Sequence, residues 1–309
     1  MGDLPPSRVS RLKPFSHTGV DFAGPFKVTM SKHRGIRASK AYLCLFVCFA
    51  TKAVHLELAS DLTMNTFLAA LKRFIARRGR CSNLYSDCGT NFVAAHRYLN
   101  ELFAKAASAE SITWHFNPAS APHFGGLWES AIKCAKMHLL RVVGEQILPY
   151  EELNTVFTQV EAILNSRPLT PVSNDPHDFS ALTPGHFLTL EPLTALPEQD
   201  NTALPINRLT RWQLLERMHR DFWNRWSKEY LHNLHQRSKW HLSSTPVKEN
   251  VLVLIKSDNL PPCKWQLGRI VELHPGADGC TRVASVKTAD YNILKRPVIK
   301  LCPLPLEDS

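Results

Sequence analysis

The chain has 309 residues, 44% of them apolar and 21% charged, which excludes a wholly disordered or collagen-like polymer and leaves room for about two domains of ~150 residues. Its 37 Lys and Arg against 27 Asp and Glu give a formal charge of +10, so an anionic partner is expected. The longest apolar run, Ala41 to Ala50, is about half of what a membrane-crossing helix needs, and no membrane partner is expected.

In chain order, His17 to Val28 and Lys40 to Ala50 read as strands, and Val54 to Leu58 alternates apolar with polar residues as a half-exposed third strand does. Asp61 or Thr63 then caps a helix with Phe67, Leu68, Leu71, Phe74 and Ile75 on one stripe and Gly79 at its end. A short strand from Asn83 to Ser86 follows, then a helix from Phe92 to Ala107, a strand from Ile112 to Phe116 and a helix from Leu127 to Val143, stopped near Gly144. A further helix, Glu151 to Asn165, ends before Pro168. Strands and helices succeed one another as in an α/β fold.

Residues 169–210 are rich in Pro, Thr and Asn without sustained periodicity and read as an irregular linker. Arg211 to Trp240 reads as one long helix with seven Lys or Arg against three acids and with aromatic residues at Trp212, Phe222, Trp223, Trp226, Tyr230 and Trp240. Such a helix either holds nucleic acid through its Arg and Trp side chains or packs its aromatic face on the core. The last region is a run of short strands, Val251 to Ile255, Trp265 to Leu273, Arg282 to Lys287 and Val298 to Leu301, expected to form a small β-barrel. Lys264, Arg269, Lys287, Lys295 and Arg296 would give that barrel a basic surface. The expected boundaries are 1–13 for an N-terminal linker remnant, 14–168 for an α/β core, 169–210, 211–248 for the basic helix, and 249–305 for the barrel.

Eight cysteines form no CxxC pair, and Cys44 and Cys48 lie about 13 Å apart along one strand, too far to bridge. They read as reduced thiols. Three acidic residues sit where a charge needs a reason. Asp21 lies midway along the strand Gly19-Val20-Asp21-Phe22-Ala23, Asp87 follows the strand Asn83 to Ser86 at a position where α/β sheets build their sites, and Glu129 opens a helix entered through Gly125-Gly126. Singly, each also reads as an ordinary residue: a satisfied strand carboxylate, a turn former, a helix N-terminal acid.

Taken together, first strand, fourth strand and late helix is the order in which ribonuclease-H-like nucleotidyl transferases gather three carboxylates. SHTGVDFAGPF, YLCLFVCFATKAVHLELASDLTMNTFLAALKRFIARRG, LYSDCGTNF and NPASAPHFGGLWESAIKCAK resemble the integrase catalytic core of BEL/Pao-type LTR retrotransposons, in the retroviral integrase superfamily. DNLPPCKWQLGRIVELHPGADG and LKRPVIKLCPLP are similar to the small C-terminal domain of the same elements. The resemblance implies a ribonuclease-H-like mixed five-stranded sheet flanked by helices, with Asp21, Asp87 and Glu129 as a DDE triad holding two Mg²⁺ or Mn²⁺ ions for phosphodiester cleavage and strand transfer.

It further implies DNA contacts by Thr90, Asn91, Ser120, His123, Lys133 and Lys136, the last two falling at i+4 and i+7 from Glu129. Retroelement ends and target DNA are the expected partners, with a homo-oligomer and a nuclear location inferred from the DNA substrate; secretion is not expected. No His pair with Cys pair precedes Asp21, so no zinc is expected, and MGDLPPSRV resembles the stretch that joins a zinc domain to the core, as in a piece of a longer polyprotein. A catalytically silent DNA-binding or scaffolding protein derived from a retroelement is the alternative.

Overall fold

Three strands open the structure: β1 (His17–Thr29), β2 (Ser39–Cys48) and β3 (Val54–Ala59). They pair antiparallel, with Leu45 between Asp21 and Leu56. The computed structural model describes residues 13–31, 36–105, 111–117, 126–234, 248–277 and 279–305, without the side chains of 126–134. Helix α1 (Met64–Arg78) starts at Thr63, whose hydroxyl accepts a hydrogen bond from the Thr66 amide at 3.3 Å, while Asp61 accepts from the Thr63 amide at 2.8 Å. Both expected capping residues are used, but Thr63 is the cap. Gly79 ends the helix at φ 84°, a conformation that costs glycine little.

The chain then returns through the sheet as β4 (Asn83–Ser86), α2 (Thr90–Lys105), β5 (Thr113–Phe116) and α3 (Gly126–Val143), followed by α4 (Tyr150–Asn165). β4 adds parallel to β1 and β5 parallel to β4, so the order is β3-β2-β1-β4-β5. A two-residue β6 (Leu148–Pro149), too short for sequence periodicity to mark, pairs with the far end of β1. Because strand side chains alternate, Val20, Cys44, Phe46 and Leu84 pack with Phe67, Phe74 and Phe92 of α1 and α2 on one face. On the other, Ala23, Leu43, Leu45 and Val47 pack with α3 and α4. This is the ribonuclease-H-like mixed five-stranded sheet between helices.

β3 departs from the expectation of a half-exposed strand: all six of its residues are buried. Its polar positions are neutralised by elements far away in sequence. Glu57 accepts from Arg73 Nε at 2.5 Å and Arg77 Nη1 at 3.0 Å, and His55 lies 2.9 Å from Glu57 and 3.2 Å from Glu161 of α4. Glu161 also accepts from Arg78 and from the Leu56 amide. Burial pushes both carboxyls up, but His55 and the arginines outweigh it and leave Glu57 and Glu161 below the usual Glu range. Burial likewise depresses His55, and the two carboxylates overcome it and raise it. Asn165 completes the edge, accepting from the Val54 amide at 2.9 Å and donating to the Val54 carbonyl at 2.8 Å. An edge strand is an exposed row of donors and acceptors; here α4 covers it.

Residues 169–210 carry more order than their composition predicts, with a two-stranded ladder, β7 (Thr170–Pro171) and β8 (Ala181–Leu182), and a one-turn helix α5 (His186–Thr189). α6 (Arg211–Leu234) follows; Trp240, at the end of the expected helix, lies outside the described residues. Leu215, Met218, Phe222, Trp223 and Trp226 of α6 join the core on the α3–α4 face, so its aromatic stripe is packing surface, and only Trp212 stays 64% exposed.

The C-terminal region is a five-stranded antiparallel sheet in the order β12-β11-β10-β9-β13, from β9 (Leu252–Ile255), β10 (Leu267–Pro275), β11 (Thr281–Thr288), β12 (Ile293–Pro297) and β13 (Leu301–Pro303). Its terminal strands β12 and β13 do not pair with each other, so the expected barrel is open along one seam. β12 was not foreseen, since its charged, Pro-ended sequence is that of an edge strand, and the strand expected over Val298 to Leu301 begins as a 3₁₀ turn, Val298–Lys300. Arg269 is not part of a basic surface: it is buried and donates to the carbonyls of Ser173, Asp178 and Asn250, each at 2.8 Å. Among the described residues no helix is long and apolar enough to cross a membrane.

Candidate active site

The parallel pairing of β1 with β4 decides where the carboxylates meet. Gly19 pairs with Tyr85, and continuing this register by two residues brings Asp87 opposite Asp21. Adjacent strands run about 4.8 Å apart, and positions in register face the same side. Asp21 thus lies on the face packed by α3, and Asp87 follows the last residue of the adjacent strand β4. Asp21 reached that face by alternation: Val20 and Phe22 turn to the α1–α2 core, where Phe22 stacks on Phe92 at 5.6 Å.

Asp21 is 29% exposed and accepts from Lys136 Nζ of α3 at 2.6 Å, with the Phe22 amide donating to its other oxygen at 2.7 Å. Asp87 is exposed and takes the Gly89 amide at 3.0 Å in an Asx turn that starts α2. Gly89 leaves those side chains room: a Cβ would sit 2.8 Å from Asn91 Oδ1 and 3.1 Å from Asp87 Oδ1, so both would have to shift. Ser86 is anchored behind Asp87 by Trp114, whose indole N–H donates to Ser86 Oγ at 2.9 Å. Thr90 and Asn91 occupy the first turn of α2 beside Asp87.

Glu129 falls in the first turn of α3, seven residues before Lys136, and positions i and i+7 share a helical stripe. Its side chain and that of Lys133 lie outside the described residues, as do Ser120 and His123. The structure therefore brings Lys136 onto Asp21, places Asp87 directly after the last residue of the neighbouring strand β4, and carries Glu129 on the helix that holds Lys136. Among the described residues no group of three or more His, Cys, Asp or Glu could hold a metal ion. The two carboxylates present fit a hard divalent cation, which takes carboxylate oxygens.

Sequence reading missed two features. Lys136, expected at DNA phosphates, pairs with Asp21, 115 residues earlier; only its i+7 spacing from Glu129 hinted at that contact. The second is a polar chain on the same sheet face. Tyr85 Oη lies 3.0 Å from His17 Nδ1, Asn83 lies 2.8 Å from His115 Nε2, and the Tyr85 and His115 rings stack at 4.5 Å. Burial, assisted by the neighbouring His115, holds His17 below the usual histidine range. His17 is occupied by this chain and not by a metal site.

Residues 210–304 match a family described as a family of unknown function, DUF5641. No curated protein matches the chain. Solved structures similar to it are retroviral integrases. A simian T-cell lymphotropic virus intasome, determined by cryo-electron microscopy in complex with the PP2A regulatory subunit B56 gamma, is 15% identical over 99% of this chain and 85% of that one, at a TM-score of 0.40. The HTLV-2 integrase catalytic core domain in complex with magnesium is 17% identical over 52% of this chain and 90% of that one, at 0.35. The BIV integrase catalytic core domain is 17% identical over 56% and 93%, at 0.38. Likenesses this distant transfer no residue's role.

Proposed function

We propose that this chain is a retrotransposon integrase-like polynucleotidyl transferase of the BEL/Pao type that cuts and joins DNA phosphodiesters. The observation that carries the reading is the Lys136–Asp21 contact together with the β1–β4 register, which if continued past β4 would set Asp87 opposite Asp21; Glu129 lies on the helix that bears Lys136. Asp21, Asp87 and Glu129 would hold two Mg²⁺ or Mn²⁺ ions, which when bound supply an activated water and a stabilised leaving oxygen. Lys136 compensates the Asp21 carboxylate, and an ammonium so placed could also meet a substrate phosphate. Thr90 and Asn91 in the first turn of α2, Lys133 of α3, and Ser120 and His123 before α3 would supply further phosphate or sugar contacts. Element ends and target DNA are the substrates, handled by a homo-oligomer in the nucleus.

A second reading, a DNA-binding protein without catalysis, is favoured by the Lys136–Asp21 pair, because a carboxylate already satisfied by an ammonium does not need a cation. Mn²⁺-dependent nicking of a labelled duplex at low salt separates the two. The parent is expected to nick, Asp87→Asn and Glu129→Gln to bind DNA without nicking, and Mn²⁺ to raise the melting temperature of the parent but not of Asp87→Asn. DNA binding without nicking or any Mn²⁺ shift in the parent would establish the silent protein instead.

A further inference from the structure

Beside the open seam of the C-terminal sheet lies an open depression of about 360 Å³ lined by Lys256, Lys295, Arg296 and Lys300, with Asp258 as its one acid. Three separate segments supply these cations: the turn after β9, the edge strand β12, and the 3₁₀ turn that crosses from β12 to β13. The Lys256 amide donates to the Lys300 carbonyl at 2.8 Å, tying two of the segments together. Lys295 and Arg296 are consecutive on the edge strand β12, and the Arg296 guanidinium donates to the Lys295 carbonyl at 3.1 Å.

The fold gives no internal reason for this convergence. Among the described residues, Lys256, Lys295, Arg296 and Lys300 take part in no ion pair, and Asp258 leans instead toward Lys228 of α6 at 3.8 Å. Four like charges around one concave site repel each other, and a low-dielectric wall focuses their field outward. β12 adds the unpaired amides of an edge strand, which donate to an anion but cannot neutralise a cation.

We propose that the seam is a binding site for a compact, multiply charged phosphate ligand, one with two or three phosphate groups in succession. The depression is at the small end of small-molecule sites. Its cations surround one hollow instead of running in a line, which suits crowded phosphates better than the spaced charges of a duplex backbone. The site lies in the region matched by a family described as of unknown function and is independent of the nucleotidyl transferase reading.

The test uses the full chain and sodium tripolyphosphate, with sodium sulfate at equal ionic strength as the control. Tripolyphosphate is expected to bind saturably by calorimetry and to raise the melting temperature, sulfate to do neither, and Lys295→Gln/Arg296→Gln and Lys256→Gln/Lys300→Gln each to weaken binding at least about tenfold. All four positions are exposed or half-exposed, so the variants should keep the parent's circular dichroism, and nicking should be unchanged. A parallel arm titrates a 20-base-pair duplex, whose affinity is expected to fall less than about twofold. Equal tripolyphosphate binding by parent and variants would overturn the proposal. So would a large loss confined to the duplex, which would make the seam a backbone contact.

Discussion

Asn165→Ala is expected to cost about 3 kcal/mol, and the figure follows from what the side chain does. Its carboxamide is fully buried and closes both backbone groups of Val54, the first residue of the edge strand β3. Deleting it orphans one amide and one carbonyl, at ~1–3 kcal/mol for each buried group, less a few tenths regained from Ala in the last helical turn. For a chain of this size a urea m-value of about 3 kcal/mol/M turns that loss into a midpoint drop of roughly 1 M. Equilibrium unfolding followed by tryptophan fluorescence reads it directly. Asn165→Asp sharpens the test: it keeps the acceptor for the Val54 amide but sets a carboxylate against the Val54 carbonyl. It should therefore be worse than Ala at pH 7.5 and recover as acidification lets the acid donate. A midpoint drop for Asn165→Ala below about 0.3 M, or an Asp variant indifferent to pH, would show that the edge is not held by these bonds.

The ion network on β3 sets a pH window. His55 is raised, so its contribution is complete below about pH 6.5 and is lost as pH rises through the higher folded value; Glu57 and Glu161 are lowered, so theirs is present above about pH 4.3 and lost as pH falls. The urea midpoint should decline from pH 6 to pH 9 in the parent, and His55→Gln should flatten that limb; an unchanged limb would remove His55 from the account. Gly89→Ala should displace Asp87 through the 3.1 Å contact and sharply reduce both Mn²⁺-dependent nicking and the Mn²⁺ thermal shift while leaving the far-UV spectrum alone. Arg269→Met strips a donor from three carbonyls and should cost at least about 2 kcal/mol by urea denaturation, with duplex affinity unaltered under native conditions; a loss of affinity in a fully folded variant would return Arg269 to the surface.

Much of the core was legible because its signals are local. Strand alternation around Asp21, the Thr63 cap, the Gly79 stop and the helix ending before Pro168 each depend on neighbours within a few residues, and all appear where the sequence puts them. What escaped depends on distant partners. Val54 to Leu58 reads as half-exposed because His55 and Glu57 are polar, and nothing nearby in sequence says that Arg73, Arg77 and Glu161 will neutralise them. Arg269 reads as a surface cation because its ligands are backbone carbonyls, which have no sequence signature. The relation of Asp21 to Asp87 sits between these cases: each residue was singled out from its local setting, but the pairing of their strands is a parallel register that only the folded sheet provides. Lys136 was noticed for its spacing from Glu129, but its contact with Asp21 depends on a partner 115 residues away.

Helix α6 has a consequence for how the chain can be divided. Its first half contributes Leu215, Met218, Phe222, Trp223 and Trp226 to the core under the carboxylate-bearing sheet, while Leu231, further along, packs with β9 and β13. Trp265 of the C-terminal region meets Trp223 at 4.8 Å and donates its indole N–H to Ser166 at the end of α4. The helix therefore works as a shared beam and not as a tether. A cut at residue 210, where the DUF5641 match begins, would pass beside the first turn of that beam and strip aromatic surface from both pieces, so neither should be expected to stay soluble alone. The terminal sheet and the carboxylate-bearing sheet therefore share one helix as packing surface, so a substitution that loosens its buried stripe should be felt in both.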